Sequence, residues 1–206
     1  TSARSSPVTS PTAIDTSTFS YNYSNNDGGA IHNSGGIDIQ NSTFSGNNAV
    51  SRGGAIHTGA GSSIMIDSST FTFNTAQNEA GAINTTGTLT LSNTIAAGNI
   101  GFMGLPDIKG TVTSLGNNLL GDATGSSGIT NGMSGDIAGS GVSPVDPLLG
   151  FLQDNGGPTQ THSLLSGSPA LDAGATMLTI DQRGLTRPQG SAPDIGALEV
   201  QKPNLT

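Results

Sequence analysis

Two kinds of side chain in this sequence could do chemistry, carboxylates and imidazoles, and their spacing decides which chemistry. In the first half the acids are Asp15, Asp27, Asp38, Asp67 and Glu79, with His32 and His57 set 25 residues apart. A polysaccharide lyase needs clustered acids with Ca²⁺ or a cation to neutralise a uronate, and a glycosidase needs two carboxylates at a defined separation. Two stacked imidazoles could hold a metal, but a structural site takes about four ligands. The second half carries Asp146, Asp154, Asp172, Asp181, Asp194 and Glu199 with Arg183 and Arg187. These acids could coordinate Ca²⁺ through carboxylates and turn carbonyls, or they could fix loops through arginine pairs and turn hydrogen bonds. They lack the close alternating spacing of a Ca²⁺ loop, which favours the structural network and an assignment of no cofactor.

The elements that position these groups show themselves as a repeat. Gly28-Gly29-Ala30-Ile31 recurs as Gly53-Gly54-Ala55-Ile56 and as Ala80-Gly81-Ala82-Ile83, with Ile108 a further 25 residues on. A second mark keeps the same period: Phe19…Asn22, Phe44…Asn47, Phe71…Asn74, and a looser Ile95…Asn99. Alternating apolar pairs lie between them, Ile37 and Ile39, Ile64 and Ile66, Leu89 and Leu91. Two motifs and a strand pattern sharing one period predict an all-β chain, a right-handed parallel β-helix with coils of about 25 residues. Residues 1–14 read as a Ser/Thr/Pro tail, 15–143 as coils (shallow beyond 121), and 144–206 as an irregular C-terminal cap.

Stacked coils turn the repeat into ladders. Phe19, Phe44 and Phe71, followed by Ile95, are expected inside, with Ile31, Ile56, Ile83 and Ile108 on another inner face. Asn22, Asn47 and Asn74 are expected to form an amide ladder at a corner. The same register disperses the chemistry. Asp38 aligns with Met65 and Thr90, so no acidic ladder forms; Asp15 and Asp67 are separated by Gln40; His32 and His57 are followed by Asn84. Thr18, Thr43, Thr70 and Thr94, with Ser20, Ser45 and Thr72, form an outer hydroxyl array of the kind that binds ice, although β-branched Thr also simply suits strands. The sequons at Asn22, Asn41, Asn84 and Asn204 are what so Asn- and Thr-rich a chain produces by chance.

Composition agrees with a solenoid. Only 33% of residues are apolar, there are 31 Gly and no Cys, and the net charge is −8. Each coil needs few inward residues and many small turn residues, so a low apolar fraction is no bar to a core. Without a basic patch nucleic acid is a poor partner, and no apolar run is long enough to span a bilayer. The chain opens on Thr1 without a signal peptide and reads as a processed piece.

The GGAI and FxxN marks resemble the polymorphic outer-membrane protein repeat, over roughly residues 15–100. The second half is similar to the choice-of-anchor Q domain. It carries Pro106-Asp107-Ile108, Asp146-Pro147-Leu148-Leu149-Gly150, Asp154-Asn155-Gly156-Gly157-Pro158-Thr159-Gln160-Thr161-His162, Asp181-Gln182-Arg183-Gly184 and Asp194-Ile195-Gly196-Ala197-Leu198-Glu199. These resemblances imply a secreted bacterial surface protein and carry no catalytic residue. The expectation is therefore non-enzymatic: an adhesin, or a subunit stacking head to tail on copies of itself, with Val8 and Ile14 anchoring the tail on a neighbour. A carbohydrate-binding or carbohydrate-cleaving β-helix is the alternative, with a surface glycan or protein as partner.

Overall fold

The structure, a computed structural model, describes residues 11–101 and 106–201. It is all-β, and its coils stack as a parallel β-solenoid. Each regular coil visits four faces in turn. The first face is built from Thr12–Asp15, Gly36–Gln40, Ser63–Asp67 and Thr88–Ser92, and the second from Thr18–Ser20, Thr43–Ser45, Thr70–Thr72, Ile95–Ala96, Leu119–Leu120 and Ile137–Ala138. The third holds Tyr23–Ser24, Asn48–Ala49, Thr75–Ala76 and Ile100–Gly101; the fourth holds Ile31–Asn33, Ile56–Thr58 and Ile83–Thr85. The long strand Ile108–Ser114 serves the fourth and first faces together and joins them into one nine-stranded sheet.

The inner columns follow from side-chain alternation on these strands. Phe19, Phe44 and Phe71 stack nearly parallel, with ring centroids 4.8 and 4.5 Å apart. Ile31, Ile56, Ile83 and Ile108 pair in register on the fourth face. The glycine pairs are steric necessities. A Cβ on Gly29 would stand 2.1 Å from the Gly54 carbonyl oxygen, and one on Gly54 equally close to that of Gly81.

Three expectations change. Thr12–Asp15 already pairs with Gly36–Gln40, and Ile14 packs against the core, so the first coil starts at residue 12 and Ile14 is no tail anchor. Val8 lies outside the described residues. Ile95 does not follow Phe71 inside: Phe71 pairs with Ala96, while Ile95 aligns with Thr70 and points outward. Counting back three residues from Asn99, as from every other ladder Asn to its Phe, gives Ala96 as the inward residue; the apolar character of Ile95 serves the outer side of the strand instead. Third, residues 144–201 do not close the end of the stack. Ser126–Ser127 pairs with Gly110–Thr111, Ile129 enters the core and Ile137–Ala138 adds to Leu119–Leu120, so residues 122–143 close that end. The chain then runs back along the outside of the second face, where the hairpin Leu149–Gln153/Thr161–Leu164 and the following loops lie.

That return has a physical cause. Outward on the second face, Thr18, Thr43 and Thr70 are continued by Ile95, Leu119 and Ile137. Leaving those three apolar side chains in water would be unfavourable. Leu164, Ala170 and Ile195 cover them and make a second core outside the coils.

Candidate functional site

The Asn corner is the best-formed polar feature. Asn22 Nδ2 donates to Asn47 Oδ1, Asn47 Nδ2 to Asn74 Oδ1, and Asn74 Nδ2 to Asn99 Oδ1, each at 2.8 Å. Each Oδ1 also accepts the backbone N–H of the preceding rung. Asn99 in turn donates its backbone N–H and Nδ2 to Asp107 Oδ1, whose other oxygen accepts Asp122 N–H at 2.7 Å. A second ladder, unread in the sequence, runs along the first corner. Ser17, Ser42 and Ser69 each donate a backbone N–H to the next rung's hydroxyl, ending at Thr94, whose own N–H reaches Asn118 Oδ1. It also ends in a carboxylate, Asp136, which accepts the Asn118 N–H. Both ladders point acceptors toward the first coil, so the last rung needs oxygens only.

Asp107 borders a shallow cleft of about 350 Å³ shared with Asn99, Asp122 and Pro144. Burial pushes its carboxyl up to about 6, against the hydrogen bonds from Asp122 and Asn99 that pull it down. With three N–H donors already on its oxygens, it terminates a ladder instead of waiting for a substrate proton. The signal for it was present in Pro106-Asp107-Ile108, eight residues past Asn99.

On the fourth face His32, His57, Asn84 and Lys109 align. The His32 and His57 rings lie 5.1 Å apart, tilted by 53°. Turns gather further charge here. Arg52 holds Asp27 through Nε at 3.1 Å and a terminal nitrogen at 2.7 Å, and this pairing lowers the Asp27 carboxyl to about 2. His57 sits with Nδ1 3.0 Å from Asn84 Oδ1 and Nε2 3.9 Å from Asp27; burial lowers its pKa, so it stays neutral. Asn84 donates to Glu79, which pairs with Lys109 at 2.8 Å. An already paired carboxylate and a buried neutral imidazole make a turn clamp, with no proton to deliver at the surface. Asp38 stands between Ala13 and Met65, without another acid in register.

The hydroxyl array is not an open outer surface. Thr43, Ser45, Thr70, Thr72 and Thr94 are buried and Thr18 and Ser20 are half-buried, Thr94 lies in the corner register, and a rank covered in this way by the returning chain does not present the flat exposed face that ice binding needs. Gln182 is the main clasp. Its Nε2 lies 2.8 Å from Thr18 Oγ1 and 2.9 Å from Thr159 Oγ1, and its Oε1 accepts the Thr43 hydroxyl at 2.6 Å. His162 Nε2 is 2.9 Å from Ser45 Oγ and Nδ1 is 2.7 Å from the Gly150 carbonyl. The carbonyl requires the proton on Nδ1, so Ser45 donates to Nε2; this serine–histidine pair resembles a nucleophile and base but is buried. Gly196 completes the fit, because a Cβ there would come within 2.8 Å of Ile95 and Thr70 side chains.

The C-terminal acids meet donors. Asp181 accepts the Arg183, Leu185 and Glu199 N–H groups and the Arg183 guanidinium. Asp194 accepts from the Asp172 and Val200 N–H groups, and Glu199 from those of Gln189 and Asp194. Asp146 and Asp154 bind N–H groups two residues on. A Ca²⁺ site needs oxygens converging on a point; oxygens facing N–H groups suit loop fixing. Arg187 is buried and points to the Asp194 and Gly196 carbonyls. Among the described residues no group of three or more His, Cys, Asp or Glu is placed to hold a metal ion. Of the sequons, Asn41 and Asn84 are buried, Asn22 spends its amide in the ladder, and Asn204 lies outside the described residues.

Residues 16–34 and 41–59 match the model of the Chlamydia polymorphic membrane protein repeat. No curated protein and no solved structure matches the chain. The matched segments are the first two FxxN-to-GGAI stretches, and with the solenoid they fit a repeat of this type and point to a bacterial outer-membrane or surface β-helix protein.

Proposed function

We propose that the chain is a non-enzymatic, secreted surface solenoid of adhesin type, a short rod that presents its flanks to partners. The observation that carries this reading is how completely its polar chemistry is consumed internally. The Asp27, Asp107, Asp136, Asp181, Asp194 and Glu199 carboxylates all hold hydrogen bonds of the scaffold. The Asp-Gln-Arg-Gly, Thr-Gln-Thr-His and Asp-Ile-Gly-Ala-Leu-Glu motifs clasp the second face, which supports reading residues 144–201 as a choice-of-anchor Q segment whose motifs serve docking on the coils.

The geometry favours a single rod over a head-to-tail fibre. Fibre growth by strand pairing requires open edges at both ends. Among the described residues the first coil pairs on one side only; at the opposite end Ser126–Ser127 and Ile137–Ala138 also pair on one side, but these strands are two residues long and leave little edge to extend. Sedimentation velocity and negative-stain microscopy of the purified chain should show single rods. Filaments would restore the fibre reading. Antibody labelling of intact producing cells should find the solenoid accessible, and cleavage of uronate or neutral glycans would overturn the non-enzymatic assignment.

A further inference from the structure

Of the eight aromatic residues, Phe19, Phe44 and Phe71 form the internal stack and Phe102 lies outside the described residues. The other four are exposed: Tyr21 by 76%, Tyr23 by 62%, Phe73 by 52% and Phe151 by 86%. Tyr21, Tyr23 and Phe73 lie at the corner between the second and third faces, and Phe151 lies on the hairpin over the second face. Tyr21 and Phe73 occupy one register, with Gly46 between them and Gly98 beyond. Tyr23 follows two residues after Tyr21. Phe73 lies 5.7 Å from the His162 ring, and His162 binds the Gly150 carbonyl next to Phe151.

Packing accounts for only part of this strip: the Tyr21 ring lies over Gly46, where a Cβ would come within 2.8 Å of it, and Phe73 rests against His162, yet both rings stay largely exposed. The corner is left-handed in four successive coils, with φ of 56° at Tyr21, 67° at Gly46, 57° at Phe73 and 71° at Gly98. Glycine takes that conformation without penalty, while a bulky residue there is strained. Tyr21 and Phe73 are strained and also expose a ring where the fold itself would be satisfied with glycine. Such an outlier points to function.

We propose that this corner is a binding platform for an uncharged, β-linked polysaccharide lying along the solenoid axis. Sugar rings with equatorial substituents present flat C–H faces that pack on aromatic faces, as other flat ligands do. Tyr21 and Phe73 are two coils apart, about 9.6 Å, close to the two-sugar repeat of an extended chain, so they would meet alternate rings. Along the adjoining third face Asn48 and Thr75 stand between Tyr23 and Ile100; the Asn48 amide oxygen is buried, so Thr75 offers a hydroxyl and Asn48 at most its NH2 group to sugar hydroxyls. An anionic polymer is disfavoured. The chain carries a net charge of −8, Arg52, Lys109 and Arg183 are in ion pairs, and Arg187 is buried. The inference deepens the adhesin reading by naming a ligand class.

The test is affinity electrophoresis of the purified chain in gels containing hydroxyethyl cellulose or galactomannan, with alginate as the anionic comparison. The neutral polymers should retard the wild type. Tyr21→Gly with Phe73→Gly should weaken binding by roughly ten-fold or more and leave the unfolding midpoint equal or higher, because strain is relieved. Tyr21→Gly with Tyr23→Ser leaves the His162 contact untouched and should give the same loss. No retardation by the neutral polymers, stronger retardation by alginate, undiminished binding in both variants, or a lowered midpoint in both would each overturn the proposal. Loss of self-association in place of polysaccharide binding would assign the strip to a second copy and overturn it too. None of these readouts depends on where the protein resides, so failure here is distinct from failure of surface labelling.

Discussion

Replacing Asn74 by Asp tests the amide ladder without changing side-chain shape. Asn74 is fully buried. Its Oδ1 accepts two bonds from Asn47, which an aspartate could still accept. Its Nδ2 faces the Phe44 carbonyl at 2.9 Å, the Thr72 carbonyl at 3.1 Å and Asn99 Oδ1 at 2.8 Å. In Asn74→Asp a second oxygen meets these three acceptors, two donated hydrogens are lost, and a charge is buried. Each buried group left unsatisfied costs about 1–3 kcal/mol, so the loss should be about 3–5 kcal/mol, a large share of an ordinary domain's stability. The buried carboxyl should titrate well above the usual range, and once protonated it regains one donor. The penalty measured by urea unfolding should therefore shrink between neutral and mildly acidic pH. The protein's own Asp107 shows why a carboxylate is tolerated two rungs further on, where the second oxygen meets the Asp122 N–H. An Asn74→Asp variant within about 1 kcal/mol of wild type at neutral pH, or one that loses more in acid, would refute the ladder argument.

Phe44→Ala, in the middle of the ring stack with coils on both sides, should cost about 3–5 kcal/mol by chemical unfolding. Gln182→Ala removes the clasp between the flank and Thr18, Thr43 and Thr159; amide exchange should rise in residues 144–201 while the Phe stack stays protected. Stability should also depend on pH with an acid-side optimum. The Asp107 carboxyl is raised to about 6, so the folded state holds that proton more tightly than the unfolded chain, and stability grows as pH falls from about 6 toward the ordinary aspartate value of 3.8. That shift corresponds to about 3 kcal/mol, and burial raises Asp194 and Glu199 in the same sense. Asp27, lowered to about 2 by Arg52, works the other way and withdraws its stabilisation as pH falls below 3.8. Thermal melts should show the maximum between these windows, and a neutral-pH maximum with loss on mild acidification would contradict the assignment.

The solenoid, its period and its ladders are legible in the residues alone, because each rung repeats a local pattern: Phe three residues before Asn, Gly-Gly before Ala-Ile, alternation on the strands. Parallel stacking then brings equivalent positions one strand spacing apart, so Phe44 over Phe71 and Asn47 over Asn74 could be read from the period alone. Where a rung departed from the pattern, apolar character misled: Ile95 was assigned inward although the spacing to Asn99 gives Ala96 that place. What covers the second face is settled by long-range packing. The contacts of Gln182 with Thr43, of His162 with Ser45 and of Gly196 with Ile95 join residues far apart in a segment without period. Nothing in Thr43 or Ser45 announces whether the outer side of a strand meets water or a returning chain. The hydroxyl rank that suggested an exposed array is a buried docking strip, and the exposed aromatic corner lies beside it, since alternation tells which side of a strand a residue is on and only long-range packing tells what that side touches.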